Sequence, residues 1–91
     1  MPNYNPERFE QFSVAYRNGL HEAVMRNPQD YAVPPGRTAY EFASIVSEKM
    51  LLAIKANGIR AVLFTQPGFR NACKSLGIKH TGKAMTAFLE G

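Results

Sequence analysis

Tryptophan is absent from the chain, and cysteine occurs once, as Cys73. A lone cysteine excludes an internal disulfide framework, and with it the small secreted domains that depend on one. No stretch approaches the roughly 20 consecutive apolar residues that a membrane-crossing helix needs. The opening run Met1-Pro2-Asn3-Tyr4-Asn5-Pro6-Glu7-Arg8-Phe9 lacks a basic stretch leading into an apolar one, so no export signal is expected. A thiol without a partner and no export signal together point to a reducing cytoplasm. Internal repeats, low-complexity tracts and linkers are lacking as well. Acidic residues nearly vanish from the last third, where Glu90 is the one carboxylate after residue 57.

What is present suits one domain. Ninety-one residues, 45% hydrophobic and 20% charged, are enough for a single modest core spanning 1–91. Residues 1–57 hold six basic and six acidic side chains and are neutral, so the net charge of +4 belongs to residues 58–91. There Arg60, Arg70, Lys74, Lys79 and Lys83 stand against Glu90 alone. Such asymmetry points to an anionic partner for that end. The plainer alternative is a solvated basic face that serves solubility.

The hydrophobic spacing predicts an all-α fold, a small bundle of four to five helices. A first helix runs from about Pro6 to Arg26, capped by Asn5 and started by Pro6, with an apolar stripe of Phe9, Phe12, Tyr16, Leu20, Ala23 and Val24. Asn27-Pro28 ends it, and residues 27–37 form a proline-fixed loop from which Tyr31 and Val33 return to the core. Thr38 and Glu41 make a capping box for a second helix that runs to about Ala56. Asn57-Gly58, with Ile59 beyond, is a candidate left-handed stop. Apolar residues dominate this helix outside a stripe of Glu41, Ser44, Glu48 and Lys55, which predicts a place in the middle of the bundle. Residues 59–64, Ile-Arg-Ala-Val-Leu-Phe, are too few for periodicity to separate helix from strand, and a helical turn is favoured because no partner strand is evident. A third helix starts near Thr65-Gln66-Pro67 and stops at Gly77-Ile78, and Thr81 caps a fourth whose Ala84, Met85, Phe88 and Leu89 face inward.

Residues 69–89, from Phe69 through Cys73, Gly77, Ile78 and Thr81 to Leu89, resemble a helix-turn-helix unit: a small residue four before a turn glycine, an apolar plug, then a capped helix. That resemblance implies a second helix laid in the major groove and a first helix crossing the phosphate backbone. On these positions Thr81, Gly82, Lys83 and Thr86 would face base edges, while Arg70, Lys74 and Lys79 would meet phosphates. Arg60 extends the patch if its segment is helical, and His80 joins it at the turn. Two departures stand out. The turn is one or two residues longer than the compact form, and the reading helix lacks the Arg, Asn or Gln side chains that make bidentate base contacts. An antiparallel helix hairpin closing the bundle is the alternative.

Other chemistry is harder to place. Gly77-Ile-Lys-His-Thr-Gly82-Lys83-Ala84 approaches the phosphate loop of nucleotide hydrolases, but Ala84 has no hydroxyl for magnesium and no strand precedes the loop. His21, His80 and Cys73 are too scattered for metal spacing, so neither metal nor cofactor is expected. His21 reads as a surface residue and Cys73 as a small core residue. A Cys73–His80 pair has no carboxylate nearby in sequence, so an enzyme is not expected. The tyrosines Tyr4, Tyr16, Tyr31 and Tyr40 lie in the neutral half and do not suggest a stacking platform for single strands.

The leading expectation is therefore a small DNA-binding accessory or regulatory protein. In size and basic hairpin it looks like those carried by phages and other mobile elements, an analogy of form only. Its partner would be double-stranded DNA, with a homodimer as the route to tight specific binding. The alternative is a helical interaction module or inhibitor docking its basic face on an acidic or nucleic-acid-binding partner.

Overall fold

The computed structural model of the chain describes residues 2–61 and 66–91. Among them every regular element is helical: α1 at Pro6–Arg26, α2 at Ala39–Asn57, α3 at Pro67–Leu76 and α4 at Gly82–Glu90, with 3-10 turns at Pro28–Asp30 and Ile59–Ala61. The ambiguous run after Gly58 is thus a helical turn as far as Ala61, and its last residues, 62–64, lie outside the described residues. No described helix is long and apolar enough to cross a membrane.

Local chemistry sets the helix ends. Asn5 Oδ1 accepts hydrogen bonds from the Glu7 and Arg8 N–H groups at 2.9 and 3.2 Å, with Pro6 in the first turn where its missing N–H costs nothing. In the expected capping box, the Glu41 N–H donates to Thr38 Oγ1 at 3.0 Å and the Thr38 N–H to Glu41 Oε1 at 3.2 Å. The amide donated by Thr38 holds the Glu41 carboxyl below its ordinary range. Gly58 departs from expectation. Its φ of +88° and ψ of 176° place it in an extended positive-φ conformation rather than the left-handed helical one. The next amide, on Ile59, donates 3.0 Å to the Tyr4 hydroxyl, so an N-terminal aromatic closes what a left-handed turn would have closed.

The centre of the bundle is α1, not α2 as the apolar content of α2 led one to expect. Antiparallel pairing with α2 is fixed by Arg17–Glu48 at 2.6 Å and by His21–Ser44 at 3.2 Å. On the other flank α3 packs along α1, where Asn71 Nδ2 donates to the Gly19 carbonyl at 3.0 Å. Both flanks of α1 are buried through small residues, Ser13, Ala15 and Gly19, around the larger Phe12, Tyr16, Leu20 and Val24. By contrast α2 buries only Ala43, Ser47, Leu51 and Ile54, and leaves Leu52 68% exposed. Its apolar residues are spread round its circumference, and hydropathy alone does not tell which of them a neighbour covers.

Enclosure of Tyr16 has a pH consequence. Its side chain is fully buried, and desolvation of the phenolate pushes the phenol from 10.0 up to about 12. The raised value favours the folded state below the unfolded pKa and loses that contribution as pH climbs from 10 through 12, at most about 2.7 kcal/mol. Tyrosinate absorbance should therefore show Tyr16 ionising late, together with alkaline unfolding, and Tyr16→Phe should shift that unfolding to higher pH. The hydroxyl makes only a long bond, 3.4 Å to Gln66 Oε1, so the substitution removes little else.

Candidate nucleic-acid interface

The C-terminal end of α4 is held on one side, and the helix presents an open face on the other. The Asn5 N–H donates 2.8 Å to the Leu89 carbonyl, the Arg8 guanidinium lies 4.8 Å over the Phe88 ring, and Met85 and Leu89 are fully buried. With those residues inward, the three- and four-residue spacing turns Lys83, Thr86, Ala87 and Glu90 outward. That face lines a groove of about 530 Å³ together with Gly82 and with Ile59 and Arg60 of the preceding turn. Two expected cations from opposite ends of the basic segment, Arg60 and Lys83, thus line one groove, with Thr86 beside them in its lining. Ala87 and Glu90 were not anticipated in it, although their spacing from Lys83 would have placed them there.

The turn before α4 carries the remaining expected contacts of that end. Gly77 takes a left-handed conformation with φ +69° and ψ 31°. The Ile78 N–H donates to the Cys73 carbonyl at 2.9 Å and the Gly77 N–H to the Lys74 carbonyl at 3.2 Å, the two bonds of a Schellman stop. Lys79, His80 and Thr81 follow as exposed residues, the His80 ring 5.3 Å from that of Phe69. The Thr81 Oγ1 accepts from the Ala84 N–H at 3.1 Å, which starts α4 beside the groove. A Cβ at position 77 would touch nothing within 4 Å, so Gly77→Ala meets only the backbone penalty of about 1–2 kcal/mol for a left-handed residue. Thermal melting should fall by roughly 4–8 °C per kcal/mol lost, and an unchanged melting temperature would refute this reading of the turn.

The structure does not bring the remaining predicted contacts to this groove. Arg70 lines a separate depression with Glu22, Arg26 and Asp30, beside the end of α1, where Glu22 pairs with Arg26 at 3.5 Å. Lys74 is exposed on the same α3 face, one turn on. The eight positions therefore divide: Arg60, Lys83 and Thr86 line the groove, Lys79, His80 and Thr81 are exposed in the turn that leads into α4, and Arg70 and Lys74 belong to α3 away from it. Among the described residues α3 and α4 do not pack along one another, and each rests on α1 instead.

His21 is not the plain surface residue expected. It is half-buried, its ring 4.4 Å from Tyr40, and Nδ1 is enclosed with no partner among the described residues. A proton on Nδ1 would bury an unpaired donor, so the proton belongs on Nε2, donating to Ser44 Oγ. Ser44 in turn donates to the Tyr40 carbonyl at 3.1 Å. In that arrangement the imidazole cannot accept the serine proton, and the pair ties α1 to α2. Cys73 is buried and its thiol is pushed up by desolvation, away from the reactive thiolate. No group of three or more metal-ligating side chains occurs among the described residues.

Comparison with protein-family models, curated proteins and solved structures finds no match to the chain.

Proposed function

We propose that the chain is a non-catalytic nucleic-acid-binding protein. Its groove between Ile59–Ala61 and α4, with the turn Lys79–Thr81, would take the phosphate backbone of duplex DNA. The observation that carries this reading is that Arg60 and Lys83, from two different elements, line one open groove together with Thr86. Guanidinium, ammonium and hydroxyl donors suit phosphate oxygens, whereas readout of base edges would need side chains that α4 lacks. Binding is thus expected to be weakly sequence-selective, micromolar for a single copy, and dominated by salt. A helix-turn-helix mode of docking is one form of this proposal, with α4 as the inserted helix. Ile59 and Ala87 in the groove lining favour the second reading, a protein segment with an apolar anchor and acidic flanks for Arg60 and Lys83.

Fluorescence anisotropy of a labelled duplex, titrated at several salt concentrations, separates them. Three neutralised phosphates, one each for Arg60, Lys79 and Lys83, give a log–log salt slope of about −2.7, and participation of Arg70 and Lys74 would bring it to about −4.5. Absence of binding at low salt would end the nucleic-acid reading.

A further inference from the structure

Two asparagines precede a glycine, Asn18 within α1 and Asn57 at the end of α2, and both are exposed. An asparagine so placed can react with its own backbone, which makes it one of the chemically labile residues of a protein. The amide nitrogen of the glycine loses its proton to hydroxide and attacks the side-chain carbonyl carbon. The new C–N bond closes a five-membered succinimide, and the side-chain nitrogen leaves as ammonia. Water then opens the ring. Addition at the side-chain carbonyl leaves aspartate, and addition at the main-chain carbonyl leaves isoaspartate. Glycine in second place favours closure, since no Cβ crowds the attacking nitrogen.

The fold treats the two pairs differently. Attack requires the peptide unit between the residues to swing out of helical geometry, by opposed rotations about ψ of the asparagine and φ of the glycine. In the middle of α1 the helical ladder commits that unit at both ends, the Gly19 N–H to residue 15 and the Asn18 carbonyl to residue 22. Gly19 is also pressed against α3. At the end of α2 a single ladder bond holds the unit, from the Gly58 N–H to the Ile54 carbonyl at 2.8 Å. The Asn57 carbonyl is among the last four of the helix, which have no partner in the ladder. Gly58 stands at φ +88°, and a residue without Cβ takes either sign of φ, so the unit turns without moving the chain on either side. We propose that Asn57 is a site of spontaneous deamidation, selected over Asn18 by the fold.

The product matters because of where it stands. A carboxylate on the last residue of α2 meets the negative end of the helix dipole and comes just before Ile59 and Arg60 in the chain. The isoaspartate form also inserts one methylene into the main chain ahead of the Ile59 amide, which donates 3.0 Å to the Tyr4 hydroxyl. Charge and chain length therefore change together at the exit of α2, beside two residues that line the groove. On the nucleic-acid reading the converted chain binds duplex more weakly, but the modification itself does not depend on that reading.

Peptide mapping of protein aged at mildly alkaline pH, without nucleic acid, tests the site. Trypsin releases the two pairs separately, as Asn18–Arg26 and Ala56–Arg60, and an unaged sample corrects for conversion during digestion. In the folded protein Asn57 should convert at least about tenfold faster than Asn18, because local opening of a helix end is easier than opening its middle. In urea, where neither helix protects, the two should convert at similar rates. The Ala56–Arg60 product should contain both aspartate and isoaspartate, and its rate should rise with pH. Asn57→Gln, which would have to close a larger ring, should abolish conversion at that position in the folded protein. Equal rates for the two asparagines in the folded protein would overturn the proposal. So would an unmodified Asn57 under conditions that convert it in urea, or a product that is aspartate alone.

Discussion

Gly19→Leu is expected to leave the chain largely unfolded at 37 °C, and Gly19→Ala to lower its stability by about 1–2 kcal/mol. A glycine inside an exposed helix normally costs about 1 kcal/mol relative to alanine, so adding a methyl there would ordinarily stabilise. At this position α1 and α3 approach too closely. A Cβ on residue 19 would stand 2.8 Å from Asn71 Cβ, 3.0 Å from the Gly68 carbonyl oxygen and 3.4 Å from the Ala72 nitrogen. Two of those atoms are backbone and the third is fixed to it, so no rotamer change relieves the contact and the helices must part. Parting also strains the Asn71-to-Gly19 hydrogen bond. Overpacking of about 1–3 kcal/mol outweighs the gain in helix propensity, and leucine adds several more atoms to the same gap. Gly68→Ala should be milder, because its nearest neighbours, atoms of Leu20 and Tyr16, stand at 3.2–3.3 Å and need give only a few tenths of an ångström. Urea unfolding of the three variants measures the ranking. A Gly19→Ala protein more stable than wild type would refute the close-approach account.

The second large effect falls on binding. Arg60→Ala with Lys83→Ala should weaken duplex association about a hundredfold, taking roughly 1.5 kcal/mol for each charged hydrogen bond lost, and should flatten the salt slope by about 1.8. Arg70→Ala with Lys74→Ala removes the same formal charge yet should change affinity only a few-fold, since Arg70 lines a separate depression and neither residue lines the groove. Matched charge removal at two places turns a composition argument into a geometric one. Equal losses from both pairs would mean that net charge, not the groove, governs association.

Much of the secondary structure was legible because its signals are local. Asn5-Pro6, Thr38 with Glu41, Gly77-Ile78 and Thr81 each act within four residues, and every one of them bounds a helix as expected. The arrangement of the helices was less legible. Gly19, Ala15 and Ser13 look like weak positions in an apolar stripe, yet their small size is what lets α1 take neighbours on both sides. Gly58 has positive φ as its place suggested, but Tyr4, 54 residues upstream of Gly58, decides how the chain leaves α2. The same distinction holds for the basic surface. Lys79, Thr81 and Lys83 are neighbours in the chain, whereas the placing of Arg60 with Lys83 in one groove, and of Arg70 in another depression, depends on tertiary packing that charge counting cannot see.

The most direct test of the central claim is an amide chemical-shift titration of isotope-labelled protein with a short DNA duplex at low salt. The groove account expects the largest shifts at Arg60, at Lys79 through Lys83 and at Thr86, with Arg70, Lys74 and the outer face of α2 little changed. Shifts centred on α3, or spread without preference over the whole surface, would contradict it.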